Sequence, residues 1–133
     1  MSAVAHIPDW MLEFARLEHH LENALEYSGG THTVEDVYVG IREGQYQFWS
    51  GEDSAIVTEI IYSPQKTTVN YFLAGGTLAE LETMSERVER WAREEIQADN
   101  ITLVGRPGWT RSFLRDGGYE TQWTVMSKEL RDE

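Results

Sequence analysis

Apolar positions recur at helical spacing near the start of the chain. Trp10, Phe14, Leu17, Leu21, Ala24 and Leu25 form one stripe, while Glu13, Arg16, Glu18, His19, Glu22 and Glu26 lie mostly off it. The pattern predicts a helix within residues 1–30, opened by Pro8-Asp9 with Asp9 as N-cap and stopped by Ser28-Gly29-Gly30. A second, shorter helix is expected between Thr31 and Gly44. Thr33 would cap it, Glu35 and Asp36 suit its positive end, and Val34, Val37, Tyr38 and Ile41 make its apolar side. Three strands follow at Tyr46–Trp49, Ala55–Tyr62 and Thr68–Ala74, antiparallel because the links are too short for a crossover. Apolar residues fall on both parities, as in Ile56/Ile60 beside Val57/Ile61, so both faces of the sheet should be covered.

The next helix carries the strongest signal. Thr77 and Glu80 fit a capping box, and Leu78, Leu81, Met84, Val88, Trp91, Ala92 and Ile96 form a stripe. Glu86/Arg90 and Glu89/Arg93 are i,i+4 pairs on its wet side. It leads to a short buried strand at Ile101–Val104, so the unit is strand, crossover helix, parallel strand. Gly105, Pro107 and Gly108 then break the chain. Trp109, Phe113 and Leu114 fall at helical spacing, Gly117-Gly118 stops that short helix, and Thr121–Met126 resumes period 2 as a last strand. The expected architecture is one α/β domain over 1–133. The N-terminal helix occupies 1–30, and a mixed sheet of about 5–6 strands with the βαβ crossover and a short C-terminal helix occupies 31–130.

Composition narrows the function classes. With 11 basic and 23 acidic residues the net charge is −12, which disfavours nucleic acid and anionic membranes as partners. The absence of cysteine removes disulfides, thiol catalysis and thiolate-bound metal, and fits a reducing compartment. Met1–Pro8 lacks the basic start of a secretory signal, and no apolar run reaches the ~20 residues of a membrane span. The adjacent His19 and His20 should point about 100° apart on a helix, which argues against a shared metal, and no metal site is expected. His32 is a lone loop histidine with weak claims on chemistry.

This order of elements, with the segment Gly105–Tyr119 running from a strand through a short helix to the pair Gly118-Tyr119, resembles the GNAT-type N-acetyltransferase fold. A narrower resemblance is to small GNAT-like proteins encoded by phages and prophages. It rests on Gln47-Phe48-Trp49-Ser50-Gly51, Thr58-Glu59-Ile60, Phe72-Leu73-Ala74-Gly75-Gly76, Trp91-Ala92-Arg93, Gly105-Arg106 and Gly108-Trp109. The resemblance implies a cytoplasmic or virion protein, with phage structural proteins as partners. In active relatives, acetyl-CoA sits between the two parallel central strands with its pyrophosphate on the start of the crossover helix. Here that place falls on Leu73, Gly75, Gly76 and Thr77.

The residues depart from the family pattern at two points. The family signature is Gln or Arg, two residues, then Gly-x-Gly or Gly-x-Ala. Ala74-Gly75-Gly76-Thr77-Leu78-Ala79 keeps two glycines without it, and Glu80 and Glu82 add negative charge. The position of the family's proton-donating Tyr falls on Leu114, and Tyr119 falls on a core aromatic. Glu59 is the candidate general base, unless it faces a polar partner on the sheet. Arg106, Arg111 and Arg115, with Trp109, form either an anion or acidic-partner surface or a set of internal ion pairs. Trp49, Trp109 and Trp123 are core anchors if buried and mark an interface if exposed. The favoured expectation is therefore a non-catalytic GNAT-like protein working by protein contact, with no cofactor. The alternatives are an acetyl-CoA-dependent N-acetyltransferase acting on an amine and, more weakly, a small-anion sensor.

Overall fold

The computed structural model describes residues 7–104, 117–123 and 125–131. Its elements run α1 (Asp9–Leu25), α2 (Val34–Arg42), β1 (Tyr46–Ser50), β2 (Ser54–Ser63), β3 (Lys66–Gly76), α3 (Leu78–Trp91), a π-helical turn (Ala92–Ile96) and β4 (Asn100–Leu103). Among the described residues the sheet has four strands, in the order β1-β2-β3-β4. The first three are antiparallel and β3 pairs with β4 in parallel, as the crossover predicted.

The number of strands among the described residues is smaller than the five or six expected. Among the described residues of Thr121–Met126 there is no strand, and Trp123, Val125 and Met126 are exposed. Period-2 patterning makes a segment able to be a strand, but a ladder partner is needed to make it one. The short helix expected at Trp109–Leu114 lies outside the described residues, as do Arg106, Trp109, Arg111 and Arg115.

Two apolar layers account for the mixed parity of the strands. On one face Ala55, Val57 and Leu73 pack with Phe14, Leu17, Leu21 and Leu25 of α1 and Val37 of α2. On the other face Ile56, Val69 and Tyr71 pack with Leu81, Met84 and Val88 of α3. Val57 pairs with Leu73 and Thr58 with Tyr71, so Phe72 is the extra residue of a β-bulge. The bulge changes the parity of β3. Tyr71 faces α3, whereas Phe72 and Leu73 both serve the α1 side.

The helix starts differ in detail from expectation. Pro8, not Asp9, is the N-cap of α1, and no side chain caps that end. Thr33 and Asp36 form a full capping box on α2: the Thr33 N–H donates to Asp36 Oδ2 at 2.9 Å and the Asp36 N–H to Thr33 Oγ1 at 3.3 Å. Leu78 was expected in the stripe of α3 but is 59% exposed, so the buried face starts at Leu81. No described helix is long and apolar enough to cross a membrane.

Candidate functional site

Gly75 and Gly76 end β3 and deliver the chain to α3. Both are required by packing. A Cβ on Gly75 would lie 2.6 Å from the backbone carbonyl oxygen of His20, because α1 crosses β3 at backbone contact. Gly76 has φ +130°, and a Cβ there would overlap Ser54. These glycines therefore admit α1 and β2 to the strand end.

The start of α3 is then occupied by the protein's own groups. The Thr77 N–H donates to Ser54 Oγ at 3.1 Å, and the Glu80 N–H donates to Thr77 Oγ1 at 3.4 Å. Only half of the expected capping box forms. Instead of returning to Thr77, the Glu80 carboxylate reaches the turn between β1 and β2. It accepts from the N–H of Glu52 at 2.5 Å and of Asp53 at 2.8 Å. The Ser54 hydroxyl, then these N–H groups, hold the Glu80 carboxyl below its ordinary pKa. Two N–H groups at the helix end are thus taken by hydroxyls, and the Glu80 carboxylate on the adjoining turn sets negative charge beside the place where an anionic ligand would rest.

From the other side, Arg16 of α1 clamps the same turn. Its guanidinium donates to the carbonyl oxygens of Gly51, at 2.7 Å, and Glu52. Glu13 fixes it with two contacts of 2.6 and 3.0 Å. Arg16 and the turn also lie next to His19, His20 and Asp53. His20 Nε2 is 2.8 Å from Asp53 Oδ1, and the rings of His19 and His20 lie with centroids 4.0 Å apart, tilted 39° to each other. The expectation that adjacent histidines diverge is corrected here, because rotation of the two side chains brings the rings together although their Cα–Cβ bonds diverge. The signal was hidden because Asp53 is distant in sequence.

Glu59 lies elsewhere. It pairs with Asn70, five residues before Gly75 on β3, which is roughly 16 Å along a strand. Its carboxylate accepts from Asn70 Nδ2 at 2.9 Å, and Thr102 Oγ1 donates to Asn70 Oδ1 at 2.8 Å. The structure therefore does not bring Glu59 to the start of α3. It places it in a polar row across β2, β3 and β4.

A third polar group lies under α3. Tyr119 donates to Glu89 Oε2 at 2.9 Å. The Tyr71 hydroxyl is buried and, among the described residues, makes no hydrogen bond, although Ser85 and Tyr119 are its polar neighbours. Burial, above all, pushes both phenols up, and Tyr119 further through Tyr71 and Glu89. Both hydroxyls therefore stay protonated.

Two features mark the end of β3. Among the described residues the β3–β4 pairing runs from Thr68↔Asn100 to Tyr71↔Leu103, while β3 continues to Gly76. The bulge at Phe72 falls where that pairing stops. Leu73 is buried in the α1 layer.

No family model matches the chain, and no curated protein matches it significantly. Solved structures do. TTHA1254 from Thermus thermophilus superposes with TM-score 0.63 at 13% identity, over 92% of this chain and 93% of that one. A probable acetyltransferase superposes with TM-score 0.60 at 12% identity, over 85% and 89%. A tetramutant of BH1408 from Bacillus halodurans gives TM-score 0.61 at 15% identity, over 90% and 94%. At these identities the likeness establishes a shared, acetyltransferase-like α/β fold.

Proposed function

We propose that this chain is a GNAT-fold protein that does not load acetyl-CoA in the manner of the enzymes and acts instead through contact with other proteins. The observation that carries the reading is the occupied start of α3. Ser54 and Thr77 take the N–H groups of Thr77 and Glu80, the Glu80 carboxylate on the adjoining turn sets negative charge against a phosphate, and the two glycines before it serve the approach of α1 and β2. Contact is supported by Trp123, which is 81% exposed beside exposed Val125 and Met126. The sequence pieces similar to phage-encoded GNAT-like proteins extend the proposal to phage structural proteins as partners, in the virion or its assembly.

The competing reading is an N-acetyltransferase that uses a relaxed cradle at Gly75–Thr77. It is favoured by β3 outrunning β4 and by the bulge at Phe72, which together leave the strand geometry such enzymes use. Glu59 would then be the base, roughly 16 Å along β3 from Gly75, and would have to meet the thioester that the pantetheine arm carries away from the pyrophosphate.

Thermal unfolding with and without acetyl-CoA separates the two. A ligand at 100 times its Kd adds ~2.7 kcal/mol to stability, roughly 10 °C for a domain of this size. The proposal expects no shift at millimolar acetyl-CoA. A saturable upward shift would sink it.

A further inference from the structure

His19, His20 and Asp53 each offer one ligand atom, and these atoms lie within 4.8 Å of one another. Two come from α1 and the third from the β1–β2 turn, so the cluster joins two elements. The turn is not a loose loop. Glu80 holds the N–H groups of Glu52 and Asp53, and Arg16 holds the carbonyl oxygens of Gly51 and Glu52. His20 is equally constrained, with its side chain only 15% exposed and its backbone packed on Gly75. The backbone that carries the triad is thus fixed on both sides before any ligand arrives.

We propose that His19, His20 and Asp53 bind one divalent transition-metal ion of the zinc class. Two imidazoles and a carboxylate are a donor set such ions accept, with a further position left for water. Ligand bonds of ~2.0–2.2 Å place tetrahedral ligand atoms about 3.4 Å apart. The present spacing therefore closes by rotation of the exposed His19 ring and the Asp53 carboxylate. The His20–Asp53 hydrogen bond gives way to the ion. An uncharged His20 ring then carries its proton on Nδ1, and a charged one releases a proton to solvent. Glu80 adds negative charge beside Asp53, and the Arg16 guanidinium that opposes it is paired with Glu13. The ion would staple α1 to the β1–β2 turn beside the start of α3. This site is independent of the contact function proposed above, and either stands if the other falls.

Calorimetric titration of the full chain with zinc chloride in a non-chelating buffer tests it, with a thermal melt of each variant in the absence of zinc as the folding control. The site predicts one ion per chain and a zinc-dependent rise in melting temperature. His19→Ala and Asp53→Asn should each weaken the Kd by on the order of 100-fold. His6→Ala and His32→Ala, which remove the other two of the four histidines, should leave it unchanged. His19 is exposed, so its variant is expected to melt like the parent without zinc. No saturable binding, undiminished binding by both ligand variants, or loss of binding in His6→Ala or His32→Ala overturns the proposal.

Discussion

A carboxylate at the third position of a helix has two natural uses. It can return to the N-cap as the second half of a capping box, or it can face outward and meet what approaches the helix end. Glu80 does neither of these. It leaves its own helix and holds the β1–β2 turn. Its pH dependence follows. Its carboxyl is held below the ordinary value, so the unfolded chain takes up its proton first as pH falls. The stability it contributes is present above the ordinary carboxylate range and is lost as pH drops through the lower folded value. Urea midpoints measured from about pH 6 down to about pH 3 should therefore fall less steeply in Glu80→Gln than in the parent. Parallel curves for the two would remove the turn contacts from the account. At Gly75 the expectation is steric. An added methyl 2.6 Å from the His20 carbonyl oxygen must push α1 off β3, so Gly75→Ala should cost about 1–3 kcal/mol in a chemical denaturation curve.

Elements were legible wherever local pattern and tertiary need agreed. Thr33 was readable as a cap because the box closes within four residues, and Thr33→Ala is expected to lower stability by about 1 kcal/mol, read from the same urea curves. The stripe Leu81, Met84, Val88 and the alternation in β2 were readable because each repeats one period several times. Thr77 and Glu80 have the same spacing as Thr33 and Asp36, yet only the α2 pair closes. The difference lies in Ser54 and the β1–β2 turn, which compete from more than twenty residues away. For the same reason Asp53 could not be matched to His19 and His20 from spacing. Leu78 and the segment Thr121–Met126 show the converse case, in which an apolar pattern finds no surface to cover it among the described residues.

At the scale of the molecule, a sheet faced by α1 and α2 on one side and α3 on the other gives the acetyltransferase-like fold. The parallel pair β3–β4 and the bulge at Phe72 belong to the architecture. The side chains at the start of α3 belong to this chain and set what can bind there. A ¹H–¹⁵N correlation spectrum titrated with acetyl-CoA tests this most directly, because the amides of Gly75, Gly76, Leu78, Ala79 and Glu80 report on the helix start residue by residue. The account predicts that these resonances stay in place up to millimolar acetyl-CoA. Saturable shifts centred on Gly76, Leu78 and Ala79 would contradict it.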